Sequence, residues 1–256
     1  DTANGYGHGL SEIRLGKALG ENREEVVICT KFGPRENEAG DAIQDFSPDF
    51  TRRALDETLK RIQSDYLDIF LLHNPPDDFD WDTYDSTVLE GFKRGGKIRA
   101  YGVSCRSVYG AINAVEAGFG DFVEVIFNLL DRRAEEKLFD LAREKGIRVI
   151  ARVPLASGFL TERTLNQNPV FPENDIRSSF PRDMKEWMID SVRKLGFLQE
   201  EPGGIAASAL RYALFHPDVY AVIPGMRNQS QVERNIQARS LGPLDSSYQS
   251  RIEAAV

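Results

Sequence analysis

A (β/α)₈ barrel that has lost its beginning is the fold class this sequence predicts. Three observations carry the prediction: a strand–helix alternation, strands apolar along their whole length, and polar residues gathered at strand ends. Short runs rich in β-branched and apolar residues occur at 26–30, 66–72, 98–103, 123–127, 147–151 and 220–223. Their near-continuous apolarity suits strands covered on both faces. Between them, 51–63 carries Leu55, Leu59 and Ile62 at helical spacing. The stretches 108–117, 133–145, 203–215 and 230–238 follow the same rule, and Gly146 is a helix stop. Alternation of this kind means a parallel sheet with right-handed crossovers. Six full strands can be counted, and Asp1 reads as the last residue of a seventh. In such barrels functional residues sit at the C-terminal rim of the strands. Asp1, Lys31, His73, Ser104, Asn128, Arg152 and Pro224 all fall at or just past strand ends. The alternative, an open doubly wound sheet, places a G-x-G-x-x-G turn after its first strand; no such turn follows any run here.

The 256 residues are expected to form one domain, 1–256. No apolar run approaches the roughly 20 residues of a membrane-spanning helix, and no signal peptide is visible. A net charge of −8 speaks against nucleic acid and anionic membranes as partners. Cys29 and Cys105 lie at different strand ends without metal-type spacing, so they read as reduced core thiols of a cytoplasmic protein, with no metal expected. Oligomeric state is left open.

Three strings carry the chemistry: D-T-A-N-G-Y-G from Asp1, T-K-F-G from Thr30 and L-L-H-N from Leu71. They supply a carboxylate, a phenol, an ammonium and an imidazole. If the strands are parallel neighbours, Asp1, Tyr6, Lys31 and His73 converge at one rim. A free phenol has a pKa of about 10, and a nearby ammonium favours the phenolate and lowers that value. A carboxylate beside the Lys would hold it charged and in place. Taken singly, each residue has a plainer reading: Asp1 as a cap, Lys31 as a solvated strand end, His73 under the Pro75–Pro76 turn, Tyr6 as a rim aromatic. Their coincidence is what points to a site. His8 and His216 read as loop and helix-end residues, and Trp187 and Met188 as core.

With these residues in view, the chain resembles an aldo-keto reductase along nearly its whole length. D-T-A-x-x-Y-G, T-K-F-G, L-L-H after D-Y-L-D-I-F, K-I-R-A-Y-G-V-S, P-L-A-S-G-F-L-T and I-P-G-M-R-N-Q-S-Q-V-E-R-N follow the family's order. The resemblance implies reversible reduction of a small aldehyde or ketone. Tyr6 would be the general acid, Lys31 would lower its pKa, Asp1 would pair with Lys31, and His73 would orient the carbonyl. The hydride would come from a nicotinamide, since no side chain can supply one. Ser104 and Asn128 match positions that grip the carboxamide, and Arg152 the position facing the nicotinamide ring. Pro154, Leu155, Ser157, Gly158 and Leu160 match the loop over the pyrophosphate. Gly225, Arg227, Gln231 and Asn235 match the adenosine end. Arg227, near a helix start, would face a 2′-phosphate, so NADP(H) is the expected cofactor.

Three departures from the family pattern stand out. Ahead of Asp1 the family has a hairpin, a first strand and helix, and most of a second strand; without them a barrel would have open edges. Arg152 stands where many relatives carry a stacking aromatic, and Thr161-Glu162-Arg163 where they often carry Thr-Gly-Lys. The loops 33–45, 74–84 and 160–182 would line the substrate pocket, with Phe32, Phe79 and Trp81 as apolar walls. Asp77, Asp78, Asp80, Asp82 and Asp85 read as a solvated loop. Two rival functions are a non-catalytic cofactor-binding module, which an intact tetrad argues against, and a carboxylate-based lyase or hydrolase. The latter would need paired acids at strand ends, where only Asp1 is found.

Overall fold

The computed structural model describes residues 1–37 and 39–256. Chain contacts divide these into two compact units, the first comprising 1–125 and 137–149, the second 126–136 and 150–256. No helix among the described residues is long and apolar enough to cross a membrane.

The first unit holds α1 (Leu10–Leu19), β1 (Cys29–Phe32), β2 (Pro34–Glu36), β3 (Ala42–Gln44), α2 (Pro48–Ile62), β4 (Leu67–His73), α3 (Thr87–Arg94), β5 (Ile98–Ser104), α4 (Val108–Glu116), β6 (Phe122–Ile126) and α5 (Leu138–Lys145). Strands β1, β4, β5 and β6 lie side by side in that order, all parallel, with Lys31 opposite Leu71, His73 opposite Ser104, and Ser104 opposite Glu124. β2 and β3 form a separate antiparallel hairpin. Helix α2 starts where Ser47 accepts a hydrogen bond from the Phe50 amide, with Pro48 following, as a helix start prefers. Gly102 marks the closest approach in the sheet: a Cβ there would lie 1.9 Å from the Phe122 carbonyl oxygen, so no other residue fits.

Strand β1 begins later than the predicted 26–30. Val27 is 70% exposed, the Val26 carbonyl accepts from Arg23, and the Ile28 amide donates to Asp68, so these residues bind side chains before the ladder starts. Lys31 is therefore inside the strand, while His73 and Ser104 close theirs. The extended run at the beginning reaches past Asp1: the Thr2 amide donates to the Cys29 carbonyl at 2.9 Å and the Asn4 amide to the Lys31 carbonyl at 3.0 Å. Phe32 is no pocket wall; it is fully buried and stacked on Phe70, with ring centroids 4.5 Å apart. The predicted helix 133–145 divides into a short 3-10 turn and α5, and Gly146 ends it in the left-handed region as expected.

The second unit contains β7 (Arg148–Arg152) from Ile150 onward, α6 (Glu162–Asn166), α7 (Arg182–Lys194), α8 (Gly204–Leu214), β8 (Val219–Ile223), α9 (Gln229–Ser240) and α10 (Ser247–Ala255). Its core gathers Phe159, Leu160, Val192, Leu195, Leu198, Ile205 and Ile252. Met188 packs against this cluster, whereas Trp187, expected in the core, is half exposed on α7. Helices α1, α3, α6, α7 and α10 and the β2–β3 hairpin were not among the predicted elements. They are short or weakly patterned in sequence, and tertiary packing supplies most of the stability of such helices.

Candidate active site

The centre of the site is a buried Lys. Lys31 is 1% exposed, and its Nζ donates to both carboxylate oxygens of Asp1, at 2.7 and 2.6 Å, and to the Thr2 carbonyl at 3.1 Å. The two backbone bonds from Thr2 and Asn4 to β1 set Asp1 beside it. An ammonium this deep needs a charged partner, because an unpaired buried charge is far too costly.

A second partner was not anticipated. Glu124 on β6 is 2% exposed, and its Oε2 lies 3.2 Å from Lys31 Nζ. Its Oε1 accepts a 2.8 Å hydrogen bond from Ser104 Oγ. The sequence did carry a signal: F-V-E-V-I places one acid inside an otherwise apolar run, and a charge in a strand buried on both faces requires a partner. Cys29, beside these groups, has its thiol pushed up to about 12, chiefly by burial, against a smaller downward pull from Lys31.

Past Asn4 the chain turns, and the Tyr6 amide donates to the Ala3 carbonyl. Tyr6 is 49% exposed, and its ring meets His73 edge-on with centroids 6.0 Å apart. Asp1, Tyr6, Lys31 and His73 thus lie at one end of the parallel strands of the first unit. Asn74 follows in the left-handed region, its amide bonded to the Ser104 carbonyl at 2.7 Å. An open groove of about 560 Å³ in the same unit is lined by Phe46, Phe79 and Tyr84 together with Gln44 and Asp80. Trp81 packs on Phe79 and Phe119. The groove's acids are engaged locally: Asp45 with Arg35, Asp80 with Thr83, Asp85 with the Thr87 amide. These bonds hold all three carboxyls below the usual range; for Asp45 they outweigh burial, which raises it.

The remaining candidate residues belong to the second unit. Asn128 is buried, with Oδ1 accepting from the Leu130 and Asp131 amides and Nδ2 donating to the Val153 carbonyl at 3.1 Å. Arg152 closes β7. The loop behind it places Val153, Ala156, Ser157 and Gly158 at positive φ. Backbone amides in such turns form anion-binding concavities. Pro154 and Leu160 are buried and Leu155 half-buried, so these three serve the loop's packing. Arg177 donates to the Ser157 carbonyl at 3.2 Å and is itself gripped by Asp175 through three bonds. Those Arg177 bonds hold the Asp175 carboxyl well below the ordinary range, with a smaller contribution from Arg227.

Gly225 is open, with nothing near its Cα that a side chain would meet. Asn228 caps α9 by accepting from the Gln231 amide, and Gln231 accepts from the Arg227 amide at 2.6 Å. Arg227 is exposed at this helix start, and one turn after Gln231 the Asn235 Nδ2 is buried without a hydrogen-bond partner. A guanidinium at a helix N-terminus and an unpaired buried donor fit a phosphate and an adenosine.

The Aldo/keto reductase family model matches residues 1–256. Among curated relatives, the aldo-keto reductase yakc [NADP(+)] of Schizosaccharomyces pombe is 28% identical, covering 99% of this chain and 77% of its own. The NADH-specific methylglyoxal reductase of Escherichia coli is 29% identical, over 96% and 79%. The solved holo form of an aldo-keto reductase from Bacillus halodurans superposes with a TM-score of 0.81 at 29% identity, covering 100% of this chain and 81% of that one. The family match, its oxidoreductase relatives and the parallel α/β frame define an oxidoreductase of the (β/α)₈-barrel class, acting on carbonyl and CH–OH groups with a nicotinamide cofactor. The chain belongs to the aldo/keto reductase family.

Proposed function

We propose that this protein reduces an aldehyde or ketone to the alcohol, reversibly, using NADPH. The observation that carries the reading is the buried Lys31–Asp1 pair in the same rim as the Tyr6–His73 ring contact. Tyr6, with its hydroxyl at the surface of that rim, donates the proton to the carbonyl oxygen in reduction and takes it back in oxidation. Lys31 acts on the phenol by its charge, and Asp1 keeps that charge in place. His73 holds the carbonyl oxygen in position. The bound nicotinamide supplies or accepts the hydride.

Ser104 and Asn128 are assigned to the carboxamide. Ser104 Oγ donates to Glu124 but can still accept, and the Asn128 amide nitrogen carries two hydrogens, of which Val153 takes one. Arg152 is assigned to the nicotinamide ring, where a planar guanidinium can stack. The 153–158 backbone takes the pyrophosphate and Gly225 leaves room at the adenosine end, where Gln231 and Asn235 bind. Arg227 selects the 2′-phosphate, as does the NADP(+) designation of the fission-yeast relative; the NADH-specific bacterial relative shows the family holds both kinds. The groove lined by Phe46, Phe79 and Tyr84 suits a carbonyl compound with an apolar body.

The test is Tyr6→Phe. Turnover of NADPH with a panel of aldehydes should fall about 10²–10⁴-fold, while NADPH binding by fluorescence titration is retained; full turnover would refute the assignment. Arg227→Ala should weaken NADPH binding by about 1.5–3 kcal/mol, the range for a hydrogen bond to a charged group, and NADH binding much less. Equal losses for the two cofactors would mean Arg227 does not read the 2′-phosphate.

A further inference from the structure

The loop that carries Tyr6 is held mainly by its two ends. Tyr6, Gly7, His8 and Leu10 are exposed, and Gly7, His8 and Gly9 pass through the left-handed region at φ of 60°, 52° and 85°. Both ends close on β1. At one end the Asn4 amide donates to the Lys31 carbonyl at 3.0 Å. At the other the chain enters α1, where the Leu10 amide donates to the Gly7 carbonyl at 3.1 Å and the Ser11 amide to the Tyr6 carbonyl at 3.2 Å. The next residue, Glu12, is 0% exposed. Its Oε1 accepts from Thr30 Oγ1 at 2.6 Å and from Thr58 Oγ1 at 3.3 Å, and its Oε2 accepts from Arg61 Nε at 2.6 Å. Thr30 precedes Lys31 on β1, while Thr58 and Arg61 stand one turn apart on α2. One turn further along α1, Gly16 approaches α2 so closely that a Cβ there would collide with the Ile62 carbonyl.

We infer that Glu12 is a positioning residue for the proposed acid: it pins the start of α1 to β1 and α2, and so fixes where the loop presents the Tyr6 ring to His73. The inference rests on the reading of Tyr6 given above. A buried ion pair adds little stability over a well-packed apolar residue of similar size, so docking α1 does not by itself call for an acid. What the carboxylate adds is direction. Apolar burial is non-directional, whereas three donors from two elements must meet two oxygens within hydrogen-bond geometry. That condition sets the height of α1 along β1. The Ser11 amide then passes this placement to the Tyr6 carbonyl, and the Tyr6 and His73 ring centroids stand 6.0 Å apart. A misplacement of about 1 Å at a reacting group can cost about 10²-fold in rate.

Two variants and two measurements test this. Glu12→Gln keeps the side chain's length and loses the charge that Arg61 meets. Thr30→Val removes only the hydroxyl that ties Glu12 to β1 and leaves the Arg61 pair, so it carries both measurements if Glu12→Gln does not fold. With NADPH and 4-nitrobenzaldehyde, kcat should fall by about 10–100-fold in Glu12→Gln and by less in Thr30→Val, with KM for NADPH unchanged. On a Tyr6→Phe background neither substitution should lower turnover further, because the loss runs through the phenol. The same fractional loss with and without Tyr6, or no loss in either variant, would overturn the inference and leave Glu12 a packing residue. The second measurement is amide hydrogen exchange, which does not depend on the chemistry. Exchange over residues 5–11 should quicken by about tenfold, the effect of losing one hydrogen bond's worth of local stability, while exchange in β4 stays as it was. Unchanged exchange over 5–11, or an equal rise in β4, would also overturn the inference. A Tyr6→Phe variant that kept full turnover would overturn the functional reading instead, and the exchange would still decide whether Glu12 places the loop.

Discussion

Two buried acids sit on β4 and β6, two strands apart in the same sheet, and are built in opposite ways. Asp68, near the start of β4, is one carboxylate between two guanidiniums: Arg23 at 2.9 Å and Arg99 at 2.8 Å. It also accepts from the Ile28 amide, and Arg23 bonds Ser64 and the Val26 and Tyr66 carbonyls besides. Both guanidiniums lie over the Tyr66 ring, at 4.2 and 4.3 Å. Glu124, at the other end of the strands, shares one cation with a second carboxylate and keeps an oxygen without a hydrogen bond. In the first cluster both carboxylate oxygens of Asp68 accept hydrogen bonds, and the cluster holds the strands together. The second leaves one carboxylate oxygen without a hydrogen bond in a low-dielectric place. The lesson is that burial of a charged residue does not by itself mark a site; the balance of its partners does.

The sharpest way to break this contrast is Asp68→Ala. It leaves two cations and a backbone donor facing an empty place, and breaking a buried pair typically costs about 3–5 kcal/mol. Denaturant midpoints should show that loss, while turnover per folded molecule stays unchanged; a loss of turnover with full stability would erase the distinction. A smaller effect is expected for Ser104→Ala. It removes the only hydrogen bond to Glu124 Oε1 among the described residues, and an unsatisfied buried acceptor costs about 1–3 kcal/mol. Here the loss should appear with an altered pH profile, because Glu124 is freed to turn. A loss of stability without that alteration would make Ser104 a packing residue only.

The smallest effect concerns Cys29. Its thiol is pushed up to about 12 in the folded state, from an ordinary value of 9.0. The folded value is the higher one, so the unfolded chain loses its proton first. The contribution is complete below the unfolded value and is lost as pH rises toward the folded one. Relative to Cys29→Ala, the protein should lose about 1 kcal/mol of stability by roughly pH 10. Equal alkaline loss in both proteins would show that the thiol does not titrate as its burial requires.

Much of this was legible in the chain itself. Alternating apolar runs and helical spacing were enough for the parallel α/β frame, because strands buried on both faces must be apolar throughout. Asp1, Tyr6, Lys31 and His73 were legible as a group, since they lie at or near the ends of strand-like runs and each has a distinct chemistry. Element boundaries were less so. β1 starts at Cys29 because Arg23 takes the Val26 carbonyl and Asp68 the Ile28 amide, and Asp68 lies far along the sequence. Phe32 and Trp187 exchanged their expected places for a similar reason: an aromatic side chain's burial depends on which face its element turns to the core.

What the sequence by itself determined is the set of chemical groups and the order in which a parallel sheet presents them. Tertiary structure alone decided how charges are shared. Glu124 reads as an anomaly in an apolar strand until β6 is laid beside β5 and its carboxylate meets Ser104 and Lys31. Electrostatic energy depends on separations of a few ångströms between residues far apart in the chain, and sequence spacing does not encode such separations.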